Sequence, residues 1–197
     1  MAVNLWAAHF NRTMGPGEMQ RLLPLLPPER RERLLRLPAE KRREPLCAWL
    51  LLRLALRESF GWTELPPVAL TDRGKPFFPD HPQVQFNLSH TEGAVLAGVS
   101  DCPIGVDIER IRPVAPRLME QMGADTEEAF FRTWVRREAR TKCSGRGIGA
   151  MLRQEPPLES GECCRELDIF SGYAACAASR GGPIPETARS CSVEELL

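Results

Sequence analysis

The sequence predicts an α+β protein made of two halves, and two changes of hydrophobic periodicity along its 197 residues indicate this class. Apolar residues first recur with helical spacing up to Gly61 and then alternate with polar residues through a series of short strands. A second long helical pattern begins near residue 125, and strand-like sequence follows it. This order places a boundary near residue 104 and predicts halves at 1–104 and 105–197.

Two helices are predicted before the strands. PPERRERLLRL (27–37) begins with prolines, which the first helical turn tolerates, and Pro38 interrupts it. The segment 39–61 is a longer apolar helix that begins in earnest near Pro45 and stops at Gly61. The residues that we expect in its core are Leu46, Trp49, Leu50, Leu54 and Leu56.

Short strands are then predicted in close succession. They lie at 68–70, at the paired phenylalanines after Pro76, and at 84–90, 94–100 and 104–111. In VQFNLSH the apolar residues alternate with polar ones, and the following TEG is a turn. The short connections predict an antiparallel meander that runs through 104–111.

The clearest helix in the second half is DTEEAFFRTWVRREARTKCSG (125–145). Asp125 is its expected N-cap, with Glu128 completing a near capping box, and Gly145 ends it. After the loop GRGIG, residues 150–168 read as irregular and rich in proline and glutamate. LDIF and GYAACAAS (172–179) read as strands, and SVEELL is a short tail.

Composition excludes some classes of protein. Lysine plus arginine equals aspartate plus glutamate, so the net charge indicates neither a nucleic-acid nor an anionic-membrane partner, although 30–43 is locally basic. No apolar run is long enough to span a bilayer, and the N-terminus lacks a signal-peptide pattern, which predicts a cytoplasmic protein. The seven cysteines form no C-x-x-C pair, so we expect reduced thiols.

GVDIER (105–110) places two carboxylates inside an apolar run. On a strand, Asp107 and Glu109 face the same side, where they repel each other unless solvent, an arginine or a metal ion lies against them. One interpretation is the ordinary polar face of an antiparallel strand. The other is a site for a hard cation such as Mg²⁺, which prefers oxygen ligands.

The apolar stripe of the 125–145 helix leads to two charged residues. Phe130, Phe131, Trp134 and Val135 recur at spacings of three and four, and the same line continues to Glu138 and then Lys142. An unpaired carboxylate on a core-facing line is costly. The two residues could form an i,i+4 pair at the wetter end of the stripe, or Glu138 could join Asp107 and Glu109 around a cation.

Three further residues have both a structural and a functional interpretation. His90 follows Ser89 at the end of a strand, where neighbours point to opposite faces, so the two form no catalytic dyad. Both could contact phosphate around the turn, although a lone histidine is more often structural. Lys75 follows Gly74 in the turn DRGKP, where a lysine is usually solvated.

The motifs gain weight from their order. Four motifs follow one another along the chain: GKP, FNLSHT, GVDIER and WVRREARTK. Their order resembles that of the 4′-phosphopantetheinyl transferase superfamily. Within this superfamily it resembles the large bacterial type that activates the surfactin synthetase and other peptide synthetases. The resemblance extends from about residue 26 to the end. It implies two similar α+β halves related by a pseudo-twofold axis, with coenzyme A in the cleft between them.

The resemblance also implies an activity: magnesium-dependent transfer of the phosphopantetheine arm of coenzyme A to a serine of an acyl or peptidyl carrier protein, with release of 3′,5′-ADP. It implies a monomer that serves secondary metabolite biosynthesis. The implied magnesium ligands are Asp107, Glu109 and Glu138, with Glu138 as the candidate base and Lys142 beside the leaving group. The implied contacts of coenzyme A are Arg30, Arg33, Lys75, Ser89 and His90.

The chain departs from the family pattern in three places. Arg137 stands where the family often has lysine, and the stretch between GVDIER and the Trp134 helix is short. Near the start of the 39–61 helix a basic or polar contact is replaced by Glu44 or Pro45, for which Arg42 or Arg43 could substitute. Two other functions stay open: a non-catalytic relative that binds coenzyme A or a carrier protein, and a metal-dependent phosphoesterase using the same carboxylates.

Overall fold

The computed structural model describes residues 3–10, 14–145 and 155–196, and it has the mixed α+β class that the sequence predicts. The helices are α1 (Pro16–Leu22), α2 (Pro28–Leu35), α3 (Arg43–Phe60), α4 (Pro116–Met122), α5 (Glu127–Ser144) and α6 (Val193–Leu196). The strands are β1 (Asn4–His9), β2 (Ala69–Leu70), β3 (Pro76–Phe77), β4 (Gln85–Thr91), β5 (Ala94–Ser100), β6 (Ile104–Arg110), β7 (Glu162–Leu167), β8 (Tyr173–Arg180) and β9 (Arg189–Cys191).

Three sheets organise these strands. The first has the order β4-β5-β1-β9, the second is the small β2-β3 pair, and the third has the order β6-β8-β7. β1 pairs antiparallel with β5 and parallel with β9, so the end of the chain returns to the first sheet. Neither β1 nor β9 was predicted. Both faces of β1 are buried, so its sequence lacks the alternation that marks a half-buried strand.

The first and third sheets pack face to face, and a long helix covers the outer side of each. Helix α3 packs with Phe86 and Val95 of the first sheet in one apolar cluster. Leu96 of β5 and Ile104 and Val106 of β6 belong to the cluster between the sheets. Helix α5 packs against the opposite face of β8. The order of the layers is therefore α3, the first sheet, the third sheet and α5.

The predicted meander is wrong at β6. This strand pairs with β8 rather than with β5, although only Asp101–Pro103 separate it from β5. A short connection permits a hairpin but does not require one, and the pairing with β8 depends on residues far along the chain. The strand pairing therefore could not be read from local sequence.

Strand β6 instead lies beside β4 along a boundary that we call the β4–β6 seam. Side chains, not backbone pairs, cross this seam. Asn87 Oδ1 accepts from the backbone N–H of Val106 at 2.8 Å, and Ser89 Oγ accepts from that of Ile108 at 3.3 Å. Thr91 Oγ1 accepts from Arg110 at 3.3 Å. Residue numbers rise together on both strands, so the two run parallel.

The helix predictions are largely confirmed. Helices α2 and α3 lie within the predicted segments, and Gly61 ends α3 in the left-handed conformation, with φ of 71°. Leu46, Leu50, Leu54 and Leu56 are buried as expected, whereas Trp49 is only partly buried. Helix α1 was not predicted.

The predicted cap of α5 is wrong by one residue. Thr126, not Asp125, is the N-cap, and its side chain accepts a hydrogen bond from Ala129 N at 3.1 Å. The third helical position is therefore Ala129, and Glu128 cannot complete a capping box. Gly145 ends the helix as predicted.

Gly105 explains how α5 approaches β6 so closely. A Cβ atom at this position would lie 2.0 Å from Ala139 O and 2.4 Å from Cys143 N, distances that real contacts do not reach. The glycine of GVDIER thus lets the backbone of α5 lie directly against the strand. This contact brings Glu138 and Lys142 to the same face of β6 as the two carboxylates.

The predictions after residue 145 are mixed. GYAACAAS is confirmed as β8, but β7 lies inside the segment expected to be irregular, and of LDIF only Leu167 is in a strand. The tail contains α6, which packs against α3. Of the loop GRGIG, only Gly145 belongs to the described residues. Residues 150–154 also lie outside them. Strand β9, from the end of the chain, joins the first sheet. The division at 104/105 stays a prediction.

An arginine row along α5 holds the unpredicted β7. Arg140 is buried and bonds Glu162 Oε1 at 2.7 Å and Glu155 Oε1 at 3.0 Å. Arg136 also pairs with Glu155, at 2.9 Å. Burial alone would raise the pKa of Glu155 and of Glu162, but the arginine hydrogen bonds outweigh it and lower the pKa of both carboxyls.

Two further expectations concern the cysteines and the membrane. All seven cysteines are free thiols, as predicted. Within residues 3–10, 14–145 and 155–196, no helix combines the length and the apolar character needed to cross a bilayer.

Candidate active site

Asp107 is the buried centre of the site. Its side chain projects from β6, and the whole residue is 4% exposed. The Oδ1 atom accepts hydrogen bonds from Ser89 Oγ at 2.7 Å and from Lys142 Nζ at 2.6 Å. The Oδ2 atom is also buried, yet it has no hydrogen-bond donor among the described residues. A buried carboxylate oxygen without a partner is costly unless another group, such as a cation, completes the site.

Glu109 is arranged in the same way, in a wetter position. Its Oε2 atom accepts from Thr91 Oγ1 at 3.2 Å and from Arg112 Nη1 at 2.9 Å. In the described part of the chain, no group donates a hydrogen bond to Glu109 Oε1. On each β6 carboxylate, therefore, one oxygen is bound by a hydroxyl and by a lysine or arginine side chain, and the second oxygen is left for another ligand.

Lys142 bonds β6 rather than its own helix. Besides Asp107, its ammonium donates to Ser89 Oγ and to Val106 O, both at 3.2 Å. Its ion pair is with Asp107, so the alternative of an i,i+4 pair with Glu138 does not describe the structure. Burial raises the pKa of Glu138; Lys142 opposes this effect, and Asp107 and Glu109 add to it. A carboxyl with a raised pKa is suited to accept a proton.

The residues fit a divalent cation only in part. Among the described residues, no three histidine, cysteine, aspartate or glutamate side chains form a ready metal cluster. Mg²⁺, however, usually takes one or two protein carboxylates and completes its shell with water and substrate phosphates. The unpartnered Asp107 Oδ2 and the free oxygen of Glu109 meet that smaller requirement.

A cleft leads away from this site along α3. One cavity, of about 370 Å³, is bounded by α3, the turn before β3, β4 and the end of α5. A second, of about 430 Å³, continues from it towards α2 and shares Pro45, Trp49 and His90 with the first. Six lysine or arginine residues line the two, and none of the described lining residues is acidic: Arg30, Arg33, Lys41, Arg73, Lys75 and Lys142. Such a cleft favours a ligand with several negative charges.

Two predicted contacts of coenzyme A, Arg30 and Arg33, lie at the α2 end of the cleft, and a third, His90, lies where its two cavities meet. Arg30 is buried, its guanidinium carbon lies 5.2 Å from the centre of the Trp49 ring, and its Nη2 atom donates to Val68 O at 3.2 Å. Arg33 is exposed at the rim. Burial and the charge of Arg33 lower the pKa of Arg30. His90 is exposed where the cavities meet, and desolvation, followed by the charge of Lys142, lowers its pKa.

The other two predicted contacts, Lys75 and Ser89, are engaged internally. The Lys75 ammonium donates to the backbone carbonyls of Lys142 at 2.9 Å, Ile104 at 3.1 Å and Cys143 at 3.5 Å. Burial lowers the pKa of Lys75. A positive charge at the C-terminal carbonyls of α5 stabilises the helix end. Both side chains line or adjoin the cleft, but each would have to exchange a bond to reach a ligand.

The positions where the chain departs from the family pattern differ in their surroundings. Arg42 donates to Leu37 O and Leu35 O, both at 2.8 Å, so its guanidinium caps α2. Arg43 pairs with Glu44, and its guanidinium carbon lies 5.1 Å from the centre of the Phe10 ring.

Sequence reasoning did not single out Thr91 and Arg112, which hold Glu109. The only available signal was alternation, because Asn87, Ser89 and Thr91 lie on the same side of β4.

The fold and the site together define an α+β protein with a basic cleft, in which the lining residue Lys142 is bonded to a buried carboxylate, an arrangement suited to a phosphate-bearing ligand. Comparison with known proteins adds what the chain is similar to. The chain is 23% identical to the 4′-phosphopantetheinyl transferase Sfp of Bacillus subtilis (strain 168), over 99% of this chain and 100% of that protein. It is 32% identical to the 4′-phosphopantetheinyl transferase psf-1 of Bacillus pumilus, over 54% of this chain and 52% of that protein.

A third relative is the 4′-phosphopantetheinyl transferase AcpT of Escherichia coli O157:H7, which is 33% identical over 61% of this chain and 66% of that protein. No family model matches the chain. The resemblance recognised in the motifs is confirmed by these matches: the chain is a relative of the Sfp-type 4′-phosphopantetheinyl transferases, and its predicted enzyme class is the one that their names carry.

Proposed function

We propose that this protein transfers the 4′-phosphopantetheine arm of coenzyme A to a serine of an acyl or peptidyl carrier protein and releases 3′,5′-ADP. The observation that carries the proposal is the basic cleft, one of whose lining residues, Lys142, is bonded to the buried Asp107. Coenzyme A has a pyrophosphate in its middle and a 3′-phosphate at one end, so its charges are distributed along a line, as the cations of the cleft are.

Arg30 and Arg33 would bind the 3′-phosphate, and His90 the nucleotide end near it. Lys142 lies next to Asp107 and would stabilise negative charge on the departing 3′,5′-ADP. We also keep Lys75 and Ser89 as proposed contacts of coenzyme A. Their present bonds mean that a contact would replace one already made within the protein.

In the transfer, the serine oxygen of the carrier attacks the β-phosphorus, and the bond from that phosphorus to the bridging pyrophosphate oxygen breaks. The serine proton passes to Glu138, directly or through a water, because burial raises the pKa of this carboxyl. The electrons of the broken bond stay on 3′,5′-ADP. Charge stabilisation and positioning, rather than a covalent enzyme intermediate, account for such phosphoryl-transfer reactions.

Asp107, Glu109 and Glu138 would hold Mg²⁺, which as a Lewis acid would neutralise charge on the pyrophosphate. The unpartnered Asp107 Oδ2 supports this assignment most directly. The proposal also includes the finer features that the resemblance implies: a pseudo-twofold relation between halves 1–104 and 105–197, a cytoplasmic monomer, and a role in secondary metabolite biosynthesis. The partner would be a small helical carrier domain with an acidic surface.

The decisive experiment mixes the protein with coenzyme A, Mg²⁺ and an unmodified carrier domain, and then measures the carrier mass. We expect a gain of one phosphopantetheine that EDTA abolishes. Asp107→Ala should lose magnesium-dependent transfer, whereas Arg165→Ala, an exposed change on β7, should retain it. Full magnesium-dependent transfer by Asp107→Ala would refute the assigned role of this carboxylate.

Two alternatives predict different outcomes of the same experiment. A non-catalytic relative would bind coenzyme A or a carrier without a mass gain. A phosphoesterase would hydrolyse coenzyme A when no carrier is present. The retained Asp107, Glu109, Glu138 and Lys142 favour the transferase, since a binding-only protein has no need of them together.

A further inference from the structure

Thr91, the last residue of β4, bridges two groups of β6. Its Oγ1 atom accepts a hydrogen bond from Arg110 N at 3.3 Å and donates one to Glu109 Oε2 at 3.2 Å. A backbone N–H can only donate, so the single proton of the threonine hydroxyl is available for the carboxylate. The hydroxyl therefore ties Glu109 to the backbone of its own strand.

The same arrangement occurs two residues earlier on β4. Ser89 Oγ accepts from Ile108 N at 3.3 Å and donates to Asp107 Oδ1 at 2.7 Å. In both cases the hydroxyl binds one oxygen of the carboxylate that precedes the amide from which it accepts. Because side chains alternate along β4, the residues at 89 and 91 reach the same side of the seam. The repeat makes the Thr91 contact part of a regular arrangement.

We propose that Thr91 is a positioning residue for Glu109: by holding Oε2, it leaves Oε1 oriented for the divalent cation. Arg112 also binds Oε2, at 2.9 Å, but its side chain is 54% exposed, so it is the more weakly constrained of the two partners. Thr91 is partly buried and belongs to the sheet. The inference rests on the proposed function, because it presumes that a cation binds at Asp107 and Glu109.

The test compares Thr91→Val with Thr91→Ser in the full chain. Valine keeps the shape of threonine without its hydroxyl, whereas serine keeps the hydroxyl. Mn²⁺ binding, measured by titration calorimetry in the absence of coenzyme A, should weaken about tenfold or more in Thr91→Val, as is common when a partner of a ligating residue is removed. Thr91→Ser should bind Mn²⁺ as the unmodified protein does.

A second measurement reports on the seam itself. Hydrogen exchange of the Arg110 amide should be faster in Thr91→Val than in Thr91→Ser, because this amide loses its acceptor. If Thr91→Val does not fold, judged by circular dichroism, Thr91→Ala removes the same hydroxyl without added bulk and takes its place in both measurements.

Equal Mn²⁺ affinity in the valine variant and the unmodified protein would overturn the inference, and so would a lack of Mn²⁺ binding by the unmodified protein. The carrier-mass experiment is independent of this comparison. An unmodified protein that binds Mn²⁺ but transfers nothing would reject the proposed function, while the effect of Thr91 on metal binding would still be measured.

Discussion

Helices α3 and α5 cover opposite outer faces of the two stacked sheets, and their contacts differ although their lengths agree. Each has 18 residues and ends at a glycine in the left-handed conformation. The nine buried residues of α3 are all leucine, alanine or cysteine, whereas the buried residues of α5 include Arg140 and Thr141. Helix α3 stabilises its sheet mainly by apolar burial. Helix α5 combines apolar burial with polar contacts on both flanks.

The difference shows how one helix can serve both stability and chemistry. One side of α5 brings Glu138 and Lys142 to β6, and another brings the arginine row to β7. Helix α3 contributes to the cleft only through its edge, at Pro45, Ala48 and Trp49. Substitutions that affect one kind of contact at a time should separate these roles, and the expected effects on stability fall in the following order.

The largest effect is expected from Gly105→Ala, which would force α5 away from β6. The new Cβ would meet backbone atoms of Ala139 and Cys143 that cannot rotate aside. We expect a loss of about 4 kcal/mol in the free energy of unfolding, above the usual cost of overpacking, measured by urea denaturation. Gly17→Ala is the control, since nothing lies within 4 Å of a Cβ there. Equal stability of Gly105→Ala and the unmodified protein would show that α5 can move without cost.

Leu51→Ala tests the apolar contribution of α3. This side chain is fully buried against the first sheet, so its truncation should leave a cavity and cost about 3 kcal/mol in the free energy of unfolding. Leu35→Ala, at a position that is 44% exposed, is the matched control and should change stability by no more than about 0.5 kcal/mol. A cost for Leu51→Ala as small as that of the control would contradict the assignment of α3 as a mainly apolar support.

Arg140→Met tests the polar flank of α5. Removal of the guanidinium leaves Glu162 without its ion-pair partner and Glu155 paired mainly with Arg136, and we expect a loss of about 2 kcal/mol at pH 7. The pKa of both glutamates is lowered in the folded protein, so the stability they contribute is present above their unfolded pKa of about 4.3. It is lost as the pH falls through the lower folded pKa.

The gap between Arg140→Met and the unmodified protein should therefore shrink between pH 7 and pH 3, as measured by denaturant unfolding at both pH values. Arg132→Met is the control, because its side chain is 52% exposed and its ion pairs are solvated. A gap that stays constant with pH would mean that the arginine acts through packing rather than charge.

The smallest effect on stability, and of opposite sign, is expected from Glu138→Gln. Burial raises the pKa of Glu138, so its ionised form disfavours the folded state once the pH exceeds the unfolded pKa. The substitution should raise the thermal midpoint slightly at pH 7 and leave it unchanged near pH 4. Transfer to the carrier should be lost in the same variant. A lower midpoint at pH 7 would show that the charge of Glu138 is paired and stabilising.

Local patterns predicted the elements whose periodicity is strong. Helices α2, α3 and α5 and strands β4, β5, β6 and β8 lie where the sequence places them. The unpredicted strands β1 and β9 are buried on both faces or very short, so neither alternates clearly. Strand β7 lies within residues 150–168, which are predicted to be irregular because they are rich in proline and glutamate. Its charged residues Arg165 and Glu166 form ion pairs with Glu186 and with Arg136 of α5, respectively.

The same division applies to the site. Alternation within GVDIER predicted that Asp107 and Glu109 share one face of a strand, and the stripe of α5 predicted that Glu138 and Lys142 share one line of a helix, because both patterns are local. The pairing of Lys142 with Asp107, the use of Lys75 at the end of α5 and the place of Trp49 beside Arg30 were not predictable in this way. Each depends on a contact between segments far apart in sequence.

The sequence by itself determined the α+β class, the long helices, the two carboxylates on one face of β6 and the order of motifs that marks a relative of the 4′-phosphopantetheinyl transferases. The tertiary structure alone decided that β6 leaves the meander to pair with β8, and that hydroxyls of β4 hold its carboxylates. Periodicity reports which face of an element is buried. It does not report which distant element covers that face, because that choice depends on packing of the whole chain.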